Sequence, residues 1–416
     1  LFSVQPSAVN NFQPVELLQG RPRAQRYTSR NHKKTASMDF GEAIGQFRTS
    51  IDRLRCWAGG RPSTAGSIPV TLKGRNVGNK SRPTGVGPGV TRLSILDRSS
   101  TRVGKTEAQA LRDTVRFAQQ AEALGYHRFW VSEHHSVPGV AGSAPTVLAA
   151  AIAAATSTIR VGTGGVMLPN HQPLVVAEQF GVLESLFPGR IDMGLGRSVG
   201  FTNGIRRALG RDKDAAEDFG AQLAELLTYF TTGENGVHAL PAEGLRVPPF
   251  ILATGAGADI AARFGLPLVI GGPRVTDAIA RYRAQFQPSQ WSPAPHVVVA
   301  ATIAVAPTTE LARDLLIPEA WSTVYSRLHG VFPPLRPASD IHALDLTDRE
   351  RARLNDGLRG QIYGTPSEVS TALNTLIDDT AADEILVTMS TFSRAEMLDS
   401  YTRLAELTSL VSAVAR

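Results

Sequence analysis

The 416-residue sequence has a single cysteine, Cys56. One thiol can form neither an internal disulfide nor a zinc–cysteine cluster. No oxidising compartment is needed, and a cytoplasmic location is expected. Also lacking is a run of about 18 apolar residues, the least that crosses a membrane as a helix. The N-terminus has no apolar stretch of the kind found in secretory signals, so no membrane partner and no secretion are expected. Excess positive charge is absent from most of the chain. Residues 1–90 carry 14 Lys and Arg against 4 Asp and Glu, and the remainder carries 29 against 33. The net charge of +6 therefore belongs to the first 90 residues. The body has no basic stripe and no nucleic-acid motif, which argues against a nucleic-acid partner.

The chain divides into two parts of different texture. Residues 1–90 are expected to be a disordered or non-native leader. From Gly59 to Gly89 the sequence is dense in Gly, Pro, Ser, Lys and Arg and lacks hydrophobic periodicity, so burial cannot offset the entropy of ordering it. One short helix is expected around Asp39–Trp57, where Phe40, Ile44, Phe47, Ile51 and Leu54 recur at helical spacing. The chain starts at Leu1 rather than Met, which suits an upstream extension or a leader. An Arg-rich targeting peptide or a nucleic-acid-binding tail are the alternatives for this segment.

From residue 91 to 416 short apolar runs alternate with amphipathic stretches, the pattern of β-α units around a parallel sheet. Hydrophobic residues make up 42% of the sequence, enough for a large core. Eight strands are expected: Arg92–Leu96, Arg128–Ser132, Ile159–Leu168, Ile191–Gly196, Pro249–Ala253, Pro267–Gly271, Val297–Val305 and Glu384–Ser390. Leu111, Val115, Ala118 and Leu124 mark one helix face; Val176, Phe180, Leu183 and Phe187 mark a second; Met397, Tyr401, Leu404 and Val411 mark the last. Phe187-Pro188-Gly189-Arg190 should stop the second of these. Eight alternations predict an α/β fold, a closed (β/α)₈ barrel. Its excess length is expected in two connections, Thr231–Pro248 and the Pro-rich stretch Ile317–Asp356.

In such barrels the chemistry lies just past the C-terminal ends of the strands. The second strand is followed by Glu133-His134-His135. Adjacent strand residues face opposite ways, so one imidazole should face the cavity, where it could move a proton near pH 7. Both could equally be structural loop histidines, and no third ligand suggests a metal. The third strand contains Thr163-Gly164-Gly165, a bare wall for a flat ring or a bulge needed for packing. The fourth gives Gly194-Leu195-Gly196-Arg197, an incomplete dinucleotide fingerprint that excludes a Rossmann reading. Arg197 could instead form a fork on a phosphate or a surface ion pair. Thr254-Gly255-Ala256-Gly257 opens a helix after the fifth strand, either as an anion site or as an ordinary cap.

Taken in order, three stretches resemble the luciferase-like monooxygenase family that includes bacterial luciferase. They are Leu124-Gly125-Tyr126-His127-Arg128-Phe129-Trp130-Val131-Ser132-Glu133-His134-His135, Ile159 through Pro169, and Phe187 through Arg197. Phe264-Gly265-Leu266-Pro267 and Gly364-Thr365-Pro366-Ser367-Glu368-Val369 add to the likeness, which covers about residues 91–410. The resemblance implies a barrel that binds reduced FMN supplied by a separate NAD(P)H:flavin reductase. It implies a monooxygenase that oxygenates a small organic substrate with O₂ through a flavin C4a-peroxide, and a possible homodimer. It gives His134 the catalytic acid/base role, with His135 beside it, sets Thr163 and Gly164 beside the flavin ring, and puts Arg197, Thr254, Gly255 and Gly257 around its phosphate. Several serines usual in that phosphate loop are replaced here by Gly255, Ala256, Gly257 and Ala258. That keeps open a deazaflavin-dependent reductase or dehydrogenase on the same barrel, or a non-catalytic flavin-binding protein.

One prediction follows from the compositional break. A chain that begins at Val90 should be soluble and bind FMN as the full chain does, by flavin fluorescence titration. Insolubility or loss of binding would move the boundary.

Overall fold

A computed structural model describes residues 92–255, 257–272 and 275–414, with side chains described through residue 407. The leader, its expected helix at Asp39–Trp57 and the side chain of Val411 lie outside the described residues. The described residues form eleven strands: β1 (Arg92–Asp97), β2 (Arg128–Val131), β3 (Arg160–Thr163), β4 (Val166–Met167), β5 (Ile191–Gly196), β6 (Pro249–Ala253), β7 (Leu268–Ile270), β8 (Val297–Ala301), β9 (Ile303–Val305), β10 (Ile362–Gly364) and β11 (Glu384–Val387). All pair in parallel. The ring runs β1-β2-β3-β5-β6-β7-β8-β11 and returns to β1, a closed eight-stranded barrel. β4 continues the line of β3 alongside β5, with Val166 opposite Leu195.

The strands form where buried, largely β-branched and aliphatic runs stand, such as Val297-Val298-Val299 and Ile385-Leu386-Val387. Their side chains alternate between two cores. One set fills the barrel: Leu96, Trp130, Phe250, Leu252, Val269, Val298 and Leu386. The other, including Ile95, Phe129, Val131 and Val161, packs outward under the helices. Helix starts are set by Thr106, Thr308, Thr347 and Thr365, whose side chains each accept a backbone N–H of the first turn. Thr365 and Glu368 complete a reciprocal capping box, with Pro366 at the first helical position. The helix Pro173–Leu186 stops at Phe187 as expected, and Gly189 turns at φ 75°.

Four details differ from the expectations. The expected strand Ile159–Leu168 is interrupted between β3 and β4 at Gly164–Gly165, whose peptide is cis. Val297–Val305 divides into β8, which stays in the barrel, and β9, which leaves it to pair with β10. The Pro-rich stretch after Ile317 carries its excess length largely as helix rather than as a bare connection. The helix Thr309–His329 runs through Pro318, and the helices Ala338–His342 and Asp348–Leu358 follow. The helix Glu107–Ala123 buries Ala110, Thr114, Phe117, Ala118 and Ala121, leaving Leu111, Val115 and Leu124 on its flank. Phe117 decides that rotation by packing edge-on against Phe129 and Tyr401, with centroids 5.5 and 5.0 Å away.

The N-terminal end of the barrel is closed by charge. Arg128, the first residue of β2, donates to Asp192 Oδ2 at 2.7 Å and to both Glu384 oxygens at 3.0 Å. Arg160 shares Asp192, Trp130 Nε1 donates to it at 3.1 Å, and Ser94 donates to Glu384. Both carboxylate side chains are fully buried. Burial opposes ionisation of Glu384, but the Arg128 guanidinium and hydrogen bonds hold its pKa down to about 2. This stabilisation is complete above the ordinary carboxylate range and fades as pH falls toward 2. Arg128→Ala should therefore cost about 3–5 kcal/mol in urea unfolding at pH 7, since it leaves buried charge uncompensated. Its acid unfolding should begin at a higher pH. A loss under about 1 kcal/mol would show that solvent reaches this floor.

Candidate functional site

At the opposite end, the strand C-termini surround one mouth. β2 runs directly into Ser132-Glu133-His134-His135, and the two imidazoles meet different partners. His134 is half-buried. Its Nδ1 meets Ser132 Oγ at 3.1 Å, and Nε2 has no partner among the described residues. Its ring lies nearly parallel to that of Phe201, at 26° with centroids 6.4 Å apart. Burial, then the nearby Arg98 guanidinium, hold the imidazole well below its ordinary pKa, so it is neutral at pH 7.

His135 turns the other way. Its Nε2 lies 2.7 Å from Glu133 Oε1, and His171 Nε2 lies 2.9 and 3.0 Å from the two oxygens of the same carboxylate. The Met167 backbone N–H donates to Glu133 Oε2 at 2.9 Å. Burial works against ionisation of Glu133, but the hydrogen bonds from His135, His171 and Met167 hold its pKa down to about 2. An ionised carboxylate accepts only, so both histidines donate from Nε2. This cluster ties the end of β2 to the end of β4 and the turn that follows it. The sequence reading did not single out Glu133 or His171; a glutamate beside paired histidines was the available signal. Among the described residues no group of three His, Cys, Asp or Glu converges as a metal site.

Across the mouth, β5 and β6 end side by side, with Gly196 opposite Leu252. Arg197 follows β5 directly. It is half-exposed and has no hydrogen bond or ion pair among the described residues. Three other arginines near the mouth are committed. Arg98 pairs with Glu319 and donates to the Thr388 carbonyl, Arg102 donates to the Phe392 and Thr391 carbonyls, and Arg211 donates to that of His171. Thr254 follows β6 with an exposed hydroxyl that likewise lacks a partner among the described residues. Gly255 has φ 71°, a left-handed conformation that favours glycine. Gly257 opens the helix Gly257–Phe264. Ala256 lies outside the described residues.

Thr163 and Gly164 play a packing part. Thr163 is fully buried; its hydroxyl donates to the Gly194 carbonyl at 2.7 Å and accepts the Gly194 N–H at 3.1 Å. A Cβ on Gly164 would meet Leu96 Cδ1 at 2.5 Å, and one on Gly165 would meet the Gly194 carbonyl at 2.8 Å. Backbone contact within the protein therefore already favours glycine at 165, whereas at 164 the neighbour is the movable end of the Leu96 side chain.

Residues 91–384 match the luciferase-like monooxygenase family. The chain belongs to this family. The uncharacterised Bacillus subtilis (strain 168) protein YvbT is 39% identical over 325 residues, spanning 76% of this chain and 96% of that protein. A shorter stretch of 140 residues is 49% identical to the N-acetyl-S-alkylcysteine monooxygenase of the same organism, covering 33% of this chain and 42% of the relative. Among solved structures, apo-MsnO8 superposes with a TM-score of 0.69 at 30% identity, over 77% of this chain and 98% of its own. The fold also matches the oxygenating constituent of 3,6-diketocamphane monooxygenase in complex with FMN, at a TM-score of 0.58 and 17% identity, over 77% of this chain and 98% of that one. Among the described residues, the mouth of this luciferase-like barrel thus includes Arg197 and the Thr254 hydroxyl without protein partners and a neutral His134.

An uncommitted guanidinium suits a phosphate. Arg197→Ala should weaken FMN binding about 10- to 150-fold, the equivalent of about 1.5–3 kcal/mol for one charge-assisted contact. Riboflavin, which lacks the phosphate, should lose much less. Equal losses for the two flavins in parallel fluorescence titrations would remove Arg197 from the phosphate.

Proposed function

We propose that this protein is a flavin-dependent monooxygenase that takes reduced FMN from a separate NAD(P)H:flavin reductase and uses O₂ to oxygenate a small organic substrate. The observation that carries the reading is the division of the mouth. A guanidinium and a hydroxyl without partners stand at the ends of β5 and β6, and a neutral imidazole with a free Nε2 stands at the end of β2. FMN has a doubly charged phosphate at one end and a flat, protonatable ring system at the other. Arg197 would fork onto the phosphate, Thr254 would donate its hydroxyl, and the start of the helix at Gly257 would add backbone N–H groups. Small residues through Gly255 and Gly257 leave room for that approach.

Reduced FMN supplies the two electrons that activate O₂. The chain's own part is positional and protic. Ser132 fixes the ring of His134 through Nδ1, leaving Nε2 to hold or deliver a proton at the reacting oxygen. A neutral imidazole does this without placing a permanent cation in the mouth. Glu133, His135 and His171 hold the β2–β4 side rigid. The local relative that acts on N-acetyl-S-alkylcysteines makes alkyl thioethers the first substrates to examine. In balance, thioether, O₂ and reduced FMN give sulfoxide, oxidised FMN and water.

Oxygen uptake with photoreduced FMN and a panel of N-acetyl-S-alkylcysteines, aldehydes and aromatic polyketides tests the reading. His134→Ala should keep FMN affinity within a few-fold. It should lower productive oxygenation by about 10²- to 10⁴-fold, the range for a positioned acid/base, while hydrogen peroxide rises. His135→Ala should retain oxygenation, because that ring is bound to Glu133. In the parent, the rate should stay level as pH falls through 6.5, since the pKa of His134 is lowered and protonation waits for stronger acid. A silent His134→Ala together with an inactive His135→Ala would reverse the two roles.

A further inference from the structure

Phe201 is the one aromatic among the large hydrophobic side chains left exposed in the described residues, with 48% of its surface accessible. It sits in the connection after β5, its ring facing that of His134. The connection holds its shape without this ring. Thr202 Oγ1 accepts the Ile205 N–H at 3.2 Å, and Arg206 Nη1 donates to the Gly200 carbonyl at 2.5 Å. Gly200 packs so closely that a Cβ there would meet Ile205 Cγ2 at 2.7 Å. Polar contacts on both sides of Phe201 thus fix the segment while the phenyl ring stays in water. A lone exposed apolar side chain is ordinary on a protein surface. One braced beside the free imidazole of a barrel mouth has a ligand-facing position.

Other features carry less. The charged floor is satisfied within the barrel, as is the Glu133–His135–His171 cluster. The depression of about 510 Å³ lined by Asp259, Ile260, Arg263, Gln285 and Gln287 has no unpartnered buried polar group aimed into it.

We propose that Phe201 is a specificity-determining wall of the substrate pocket: it packs on the alkyl or aryl part of the substrate and shields His134 Nε2 from water. This rests on the monooxygenase reading, and its test uses binding as well as turnover. N-acetyl-S-methyl-, S-ethyl-, S-propyl- and S-butylcysteine are titrated calorimetrically into the protein saturated with oxidised FMN. Affinity for the parent should rise up to about fourfold per methylene, the yield of full burial. Phe201→Ala should flatten that series to less than twofold per methylene, with FMN affinity and thermal midpoint unchanged. Phe201→Leu should restore most of the slope. In turnover, Phe201→Ala should raise KM most for the butyl compound and divert more O₂ to peroxide.

An unchanged slope in Phe201→Ala, in a parent that turns over, overturns the assignment and leaves the monooxygenase reading intact. A slope that flattens in a protein that never consumes O₂ upholds the wall and overturns the monooxygenase reading. A parent that binds none of the series overturns the assignment for this substrate class.

Discussion

The barrel closes between β3 and β5, and Gly162 and Gly194 on that seam have no room for a side chain. Thr163 spans it with one hydroxyl, giving its proton to the Gly194 carbonyl and accepting the Gly194 N–H. A Cβ on Gly194 would run into the Thr163 carbonyl, and one on Gly162 into the Asp192 carbonyl. Backbone and hydroxyl therefore set the spacing. Two groups of the mouth inherit their positions from it. Arg197 comes three residues after Gly194, and Met167, whose N–H anchors Glu133, comes four residues after Thr163. Small residues at this seam fix the frame on which the polar groups stand.

The two ends of the same strands are used in opposite ways. At the N-terminal end Arg128, Arg160, Asp192 and Glu384 are matched to one another, and burial makes that matching strict. At the C-terminal end Arg197, Thr254 and His134 Nε2 have no protein partners among the described residues, and partial exposure keeps the cost of this low. Paired charge is concentrated at the first end, and on the proposed reading a ligand would complete the hydrogen bonds at the second. The neighbouring Arg98 shows the contrast on one rim: it is spent on Glu319 and Thr388 and lowers the pKa of His134 through its charge alone.

Much of this was legible in the sequence because parallel strands buried on both faces read as continuous apolar runs. β5 and β6 fall at their expected bounds, and the Phe187-Pro188-Gly189 stop is where turn chemistry puts it. The misses have physical causes. β10 is three residues long and half-exposed, too short to show a period. Helix through Pro318 was not expected from the Pro-rich composition; a long, largely buried helix face outweighs one lost hydrogen bond. In the site, the pair His134-His135 was legible as a feature just past the second strand. The carboxylate that holds His135 was not, because His171 reaches Glu133 from 38 residues away in the chain. Phe201 gave no signal, since an exposed ring is meaningful only once its neighbour is known.

The central claim is that this mouth joins one atom of O₂ to a substrate at the expense of reduced FMN. The most direct measurement is a single turnover of the full chain with photoreduced FMN, N-acetyl-S-alkylcysteine and ¹⁸O₂, read by mass spectrometry. The account predicts a product heavier by one ¹⁸O atom, formed in proportion to flavin oxidised. Flavin oxidised with only labelled peroxide and unlabelled thioether recovered, across this series and the wider substrate panel, would contradict it.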